Sequence, residues 1–135
     1  MRRVLRASYD DVLAGLPEAL KSEGFGILTE IDVRQTLKQK LGVEFRRYKI
    51  LGACNPTLAH QALQTQLEIG VMLPCNVVVY EGDDDTTVVT AIDPTLTIGD
   101  RHQNLGALAE TVRDKLGRAL ANLAERVPTS PAART

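Results

Sequence analysis

The segment from Cys75 to Tyr80, CNVVVY, constrains the fold most, because it carries apolar side chains on both faces of an extended chain. A strand of this kind is buried on both sides, so it belongs inside a sheet and not at an edge. The next five residues, EGDDD, are types that turns prefer, and Thr86 to Ile92 is extended again. The sequence therefore predicts an antiparallel hairpin whose first strand is central.

Extended and helical patterns alternate along the rest of the chain. Strands are predicted at 3–7, 25–33, 44–53, 75–80 and 86–92, and helices at 8–24, 34–41, 56–67 and 104–123. The order βαβαβαββα predicts an α+β fold. We expect a mixed sheet of about five strands, parallel where helices separate them, with helices packed mainly on one face. Residues 1–127 are predicted to form one domain, and 128–135 a disordered tail.

The composition of the 135 residues argues against several classes of partner. With no Trp, two Phe and three Tyr, aliphatic side chains must fill the core, and few aromatic residues are left for base stacking. A net charge of −1 gives no field that attracts DNA, RNA or an anionic membrane. No segment approaches the roughly 20 apolar residues of a membrane span. We expect a cytoplasmic protein with reduced cysteines and no nucleic-acid or membrane partner.

The chain lacks the common motifs of catalysis and cofactor binding. It has no P-loop, dinucleotide fingerprint, HExxH, CxxC pair or nucleophile elbow. The sequence therefore identifies no reaction and predicts no cofactor. It leaves open whether the chain is an enzyme.

The segment Gly52-Ala53-Cys54-Asn55-Pro56 is the strongest local candidate for a site. It places a thiol at a strand end, just before a helix that Asn55 caps and Pro56 begins. The helix dipole there predicts a lowered pKa for the Cys54 thiol, which favours the thiolate. The alternative is that Cys54 is a small buried apolar residue.

A second thiol lies in Leu73-Pro74-Cys75-Asn76. If the two strands are neighbours, Cys54 and Cys75 meet at one end of the sheet. With His60 they could bind Cu(I) or Zn²⁺, but the spacing matches no standard pattern, so no metal is predicted. Core packing is the alternative for Cys75. We expect the Asn76 side chain to bond the Cys54 loop, since an unpaired amide in an apolar strand is unfavourable.

A third group comprises Glu30, Tyr48 and Lys49. Glu30 and Lys49 lie opposite the apolar faces of their strands, which predicts that they meet on the side of the sheet that helices leave uncovered. There they either bind a small polar ligand or form an exposed cross-strand ion pair.

Several segments together carry a family resemblance. They are Gly24-Phe25, Leu28 to Val33, Lys40-Leu41-Gly42, Tyr48 to Pro56, Ala59, Leu73 to Glu81 and Asp93-Pro94. In this order they resemble the domain-of-unknown-function 302 family. The resemblance implies a small α+β domain with a mixed sheet that often forms homodimers and has no established activity. The family's motifs fall on Glu30, Tyr48, Lys49, Cys54, Asn55, Pro56, Pro74 and Cys75.

Three classes of function fit these observations. The first is a homodimeric module that binds a small ligand near residues 54–56 and 73–76. The second is thiol-dependent redox, sulfur-transfer or soft-metal chemistry, with Cys54 as nucleophile and Cys75 as supporting thiol. The third is an interaction protein without a small-molecule site. We favour the first, with ligand-binding residues Glu30, Tyr48, Lys49, Cys54, Asn55, Cys75 and Asn76.

Overall fold

The computed structural model describes residues 1–101 and 103–128. Its strands are β1 (Arg2–Leu5), β2 (Gly26–Asp32), β3 (Tyr48–Cys54), β4 (Cys75–Glu81) and β5 (Thr87–Ala91). They form one sheet in the order β1-β5-β4-β3-β2. As the apolar run at 75–80 predicts, β4 is the central strand and forms an antiparallel hairpin with β5.

Helices occupy most of the intervals between the strands. The α-helices of the described ranges are α1 (Tyr9–Lys21), α2 (Val33–Leu41), α3 (Pro56–Thr65), α4 (Ile98–Arg101) and α5 (Gly106–Arg126), with short 3-10 segments at Leu67–Met72, Pro94–Leu96 and Gln103–Leu105. None of them is long and apolar enough to cross a bilayer. The α+β class and the five strands are confirmed.

The predicted tail, 128–135, lies outside the described residues except for Pro128. The division into a domain over 1–127 and a disordered tail therefore stays a prediction.

The mixed character predicted for the sheet is wrong, because all four neighbouring strand pairs are antiparallel. The helices α2 and α3 each join two adjacent strands that run in opposite directions. Each helix is thus an insertion in a long hairpin connection and does not cross over between parallel strands. Only α1 carries the chain across the sheet, from β1 at one edge to β2 at the other.

The core lies between one face of the sheet and the helices α1 and α5. Helix α1 begins at Ser8, whose hydroxyl accepts a hydrogen bond from the Asp11 backbone N–H at 3.1 Å. Most of the fully buried side chains are aliphatic, among them Val12, Leu16 and Leu20 of α1, Leu116 and Leu123 of α5, and Val77, Val79 and Val89 of the sheet. Because the sequence has few aromatic residues, the core consists mainly of closely packed Leu and Val side chains.

The other face of the sheet is only partly covered and is largely apolar, although it also carries polar side chains such as Arg2, Asn76 and Thr90. Its partly exposed apolar side chains alternate with the core residues, and we call them the open face: Val4, Ile31, Tyr48, Ile50, Val78 and Tyr80. None of the six belongs to the buried core under α1 and α5. Val4 is 50% exposed and Ile31 is 49% exposed. The Tyr48 and Tyr80 rings stack with their centroids 5.3 Å apart.

Gly52 lets the start of β4 lie close to β3. A Cβ atom at this position would lie 2.2 Å from Thr29 Oγ1 and 2.5 Å from Pro74 Cγ. Only glycine allows this approach, because any side chain would push away the segment that leads into Cys75.

Candidate functional site

Both cysteines line one cavity of about 40 Å³, at one end of the sheet. Cys54 is the last residue of β3 and Cys75 is the first of β4. The antiparallel register pairs Ala53 with Cys75, which brings the two cysteines to adjacent positions. Apolar side chains form most of the remaining wall, among them Phe25, Leu58, Ala59, Leu73, Leu108 and Val112. We call this volume the thiol cavity.

Asn55 fixes the segment that carries Cys54. Its Oδ1 accepts a hydrogen bond from the Leu58 backbone N–H at 3.3 Å, which caps α3 as predicted. Its Nδ2 donates to the Glu23 carbonyl, also at 3.3 Å, and so connects this segment to the end of α1. Gly24 makes the contact possible, because a Cβ atom there would lie 2.9 Å from Asn55 Nδ2. Asn55 therefore shapes the wall of the thiol cavity with both ends of its amide engaged.

The predicted lowering of the Cys54 pKa is not found. Burial raises the pKa of the Cys54 thiol. Burial also raises the pKa of Cys75 to about 11, and the neighbouring Cys54 adds to that rise. The start of α3 offers Cys54 little, because Asn55 already accepts from the Leu58 N–H and Pro56 has no N–H. Both cysteines are therefore neutral thiols near pH 7.

His60 does not join the two cysteines. Its side chain is exposed, and it is not part of the wall of the thiol cavity. No group of three or more His, Cys, Asp or Glu side chains within residues 1–101 and 103–128 is placed to hold a metal ion. The three residues considered for a Cys₂His site are thus not assembled into one here.

The hydrogen bond predicted for the Asn76 side chain is absent from the described residues, and Asn76 is exposed. Its register partner in β3 is Gly52, whereas Cys75 pairs with Ala53 of the core. Because side chains alternate along a strand, Asn76 points away from the thiol cavity. Water solvates its amide, which removes the need for a protein partner.

Glu30 and Lys49 form an ion pair, but not on the predicted side of the sheet. Lys49 alternates with Leu51, and Leu51 belongs to the core, so the pair lies on the side of α1. The apolar stripe of Tyr48 and Ile50 belongs to the open face instead. A register shift between Ile27 and Thr29 sets the direction of Glu30. Tyr48 is therefore separated from Glu30 and Lys49 by the sheet.

A polar cavity of about 230 Å³ lies at the opposite end of the sheet. Its wall consists of Tyr9, Asp10, Leu13, Asp32, Arg34, Arg47 and Lys49. Of these, only Lys49 was among the residues predicted from sequence. The spacing of Tyr9, Val12 and Leu16 offered one signal, because it places Tyr9 on the buried side of α1.

Comparison with known proteins gives a family and a fold but no activity. No curated protein matches the chain. Among solved structures, the chain is similar to the one described as "Crystal structure of uncharacterized conserved protein DUF302 from Bacillus stearothermophilus". That similarity has a TM-score of 0.84 and 30% sequence identity, and it covers 91% of this chain and 96% of that one. Residues 1–123 match the family described as "Domain of unknown function DUF302". The chain therefore belongs to the domain-of-unknown-function 302 family.

Proposed function

We propose that this chain is a homodimeric module that binds a small ligand, with the apolar end of the ligand in the thiol cavity. The observation that carries the proposal is the cavity itself, which β3, β4, α3 and α5 build together from apolar side chains and two thiols. Apolar walls with few polar groups are typical of ligand sites, but those sites measure roughly 300–1,000 Å³, so the thiol cavity receives only part of a ligand.

The size of the thiol cavity limits what it holds. A volume of about 40 Å³ accommodates about three water-sized groups, since one such group needs roughly 10–15 Å³. At no more than about 1.5 kcal/mol per atom, three atoms bind with about 4–5 kcal/mol, a dissociation constant of about 1 mM. A tighter ligand therefore inserts only one end and extends past the half-buried Cys54, Leu58 and Ala59.

A second copy of the chain is the partner proposed for the open face. The face is largely apolar and extends from one edge strand to the other, and its stacked Tyr48 and Tyr80 are of a residue type enriched at interfaces. A two-fold axis would pair the face with itself, so that one apolar surface supplies both halves of the contact. Covering it would also remove from water side chains such as Val4 and Ile31, which are about half exposed.

The proposal includes a cytoplasmic location and excludes nucleic acid and membranes as partners. Cys54 and Cys75 are both free thiols, which suits a reducing compartment. The net charge of −1 supplies no attraction to polyanions.

Thiol chemistry is the second candidate, because Cys54 and Cys75 lie close enough for Cys54 to raise the pKa of Cys75. Two adjacent thiols suit disulfide formation or a soft cation such as Cu(I). Both reactions need thiolates, however, and burial opposes the thiolate at both positions. We therefore rank this candidate below ligand binding.

Filling the thiol cavity should remove its ligand. Ala59 is half-buried on the wall of the cavity, so Ala59→Leu places a larger side chain inside it. Native mass spectrometry of protein purified under reducing conditions should show a bound small molecule on the wild type and none on Ala59→Leu. Ala121→Leu, at a half-buried position of α5 away from this cavity, is the control and should keep the ligand. An unliganded wild type, or the same adduct on Ala59→Leu, would contradict the proposal.

A charge on the open face should dissociate the dimer. Light scattering at micromolar concentration should give the wild type about twice the 14.7 kDa chain mass. Val78→Lys and Val4→Lys should both give the monomer mass, because each would bury an unpaired ammonium group in the contact. Leu96→Lys, at a position that is 74% exposed and outside the open face, should stay dimeric. A wild type that is monomeric throughout, or lysine variants that remain dimeric with unchanged circular dichroism, would refute this arrangement.

Both thiols should be slow nucleophiles at neutral pH. Raised pKa values keep them protonated, so alkylation by iodoacetamide should be slow at pH 7, accelerate steadily as the pH rises and level off only above each folded-state pKa, about 11 for Cys75. Cys75→Ser and Cys54→Ser variants isolate the two rates, and a short unstructured cysteine peptide is the reference. If either native thiol reacts at pH 7 as fast as the peptide, thiol chemistry becomes the better proposal.

A further inference from the structure

The polar cavity lies at the end of the sheet opposite the thiol cavity, where α1 begins and β2 ends. Tyr9 and Asp10 come from the first turn of α1, and Asp32 is the last residue of β2. Arg47 immediately precedes β3, and Arg34 lies in the first turn of α2. Four segments, two of them adjacent in the chain, thus contribute charged or hydroxyl groups to one volume of about 230 Å³.

Tyr9 is the best-buried polar residue of this wall. The Arg47 guanidinium packs over the face of the Tyr9 ring in a cation–π contact, with its carbon 4.3 Å from the ring centroid. Only 6% of Tyr9 is exposed, and its hydroxyl makes no hydrogen bond to any residue that the structure describes. No fully buried polar side-chain atom of the described chain lacks a partner. The unpaired Tyr9 oxygen is therefore accessible, and Tyr9 lines both the polar cavity and a neighbouring one of about 220 Å³.

The Tyr9 hydroxyl is a hydrogen-bond donor throughout the physiological range. Burial raises its pKa to about 12, and the nearby Asp32 carboxylate contributes to the rise. A protonated phenol in such a place suits an acceptor oxygen of a ligand.

Most of the charges around the cavity are already paired within the protein. Arg47 pairs with Asp10, and Lys49 pairs with Glu30. Arg34 has no ion pair with a described residue. One cation and one hydroxyl donor are thus left to receive an anionic group.

Asp32 supplies the complementary charge. One of its carboxylate oxygens accepts from the Gln35 backbone N–H at 2.9 Å, which caps α2. Within the described residues this carboxylate forms no ion pair, so its second oxygen is left for a cationic group. The wall therefore presents one unpaired charge of each sign beside a neutral donor.

We propose that the polar cavity binds a small zwitterion of the amino-acid class. Arg34 and the Tyr9 hydroxyl hold its carboxylate, and Asp32 holds its ammonium group. The volume agrees with this class, because about 230 Å³ is below the roughly 300–1,000 Å³ of sites for drug-sized ligands. The site is separate from the thiol cavity and does not depend on the function proposed for that cavity.

Calorimetric titration of the purified full chain with each standard amino acid, at millimolar concentration, tests this proposal. At least one amino acid should bind. Its decarboxylated amine and its deaminated acid should each bind at least tenfold more weakly, because each leaves either Arg34 or Asp32 without an opposite charge on the ligand. Failure of every amino acid to bind overturns the proposal. Equal binding of the amine or of the acid overturns the zwitterion assignment.

Two substitutions locate the binding. Tyr9→Phe removes only the hydroxyl and should weaken binding about tenfold, while Arg34→Gln should weaken it about ten- to hundredfold. The matched controls are Tyr80→Phe on the open face and Lys38→Gln on α2, and both should bind like the wild type. Unchanged affinity in Tyr9→Phe and Arg34→Gln would overturn the site. Ala59→Leu should leave amino-acid binding intact, so loss of function at the thiol cavity is measured separately.

Discussion

Burial of one face of the sheet beneath α1 and α5 is the constraint on which the rest of the structure depends. Removing a Leu or Val side chain from water contributes about 1.5–3 kcal/mol, and residues such as Leu16, Leu123 and Val77 are completely buried. The exposed ion pairs contribute roughly 0–1 kcal/mol each, so they do not determine which face is covered. The two antiparallel helices α1 and α5 do not cover the sheet as far as its ends. One cavity remains near the start of α5, and another near the start of α1.

The hairpin was the most predictable part of the fold. The apolar segment 75–80 and the turn after it lead directly to a central β4 paired with β5. Strand direction elsewhere could not be predicted, because a helix between two strands is compatible with either a crossover or a long reversal. Which side of β3 packs against the helices was equally ambiguous, because its side chains are apolar on both sides: Tyr48 and Ile50 on one, Leu51 and Ala53 on the other. The register shift in β2 has no clear sequence signal.

Some features of the candidate sites could likewise be predicted from the local sequence, whereas others depend on contacts between distant segments. The meeting of Cys54 and Cys75 was predictable only on the condition that their strands are neighbours, a condition that the observed register meets. The pKa of Cys54 was not, because it depends on burial and on hydrogen bonds that Asn55 has already used. The polar cavity was missed for a further reason. Its residues, such as Tyr9 and Asp32, belong to segments that only the folded sheet brings together.

The thiol cavity is most directly tested by xenon, an apolar atom that enters small dry cavities. In methyl NMR spectra of the wild type under xenon pressure, we expect saturable shifts for Leu58, Leu108 and Val112, which line the cavity. In Ala59→Leu the same methyl groups should not respond. Absence of any response in the wild type, or shifts confined to Val4 and Val78 on the open face, would show that the apolar volume between α3, α5 and the sheet is not a binding site.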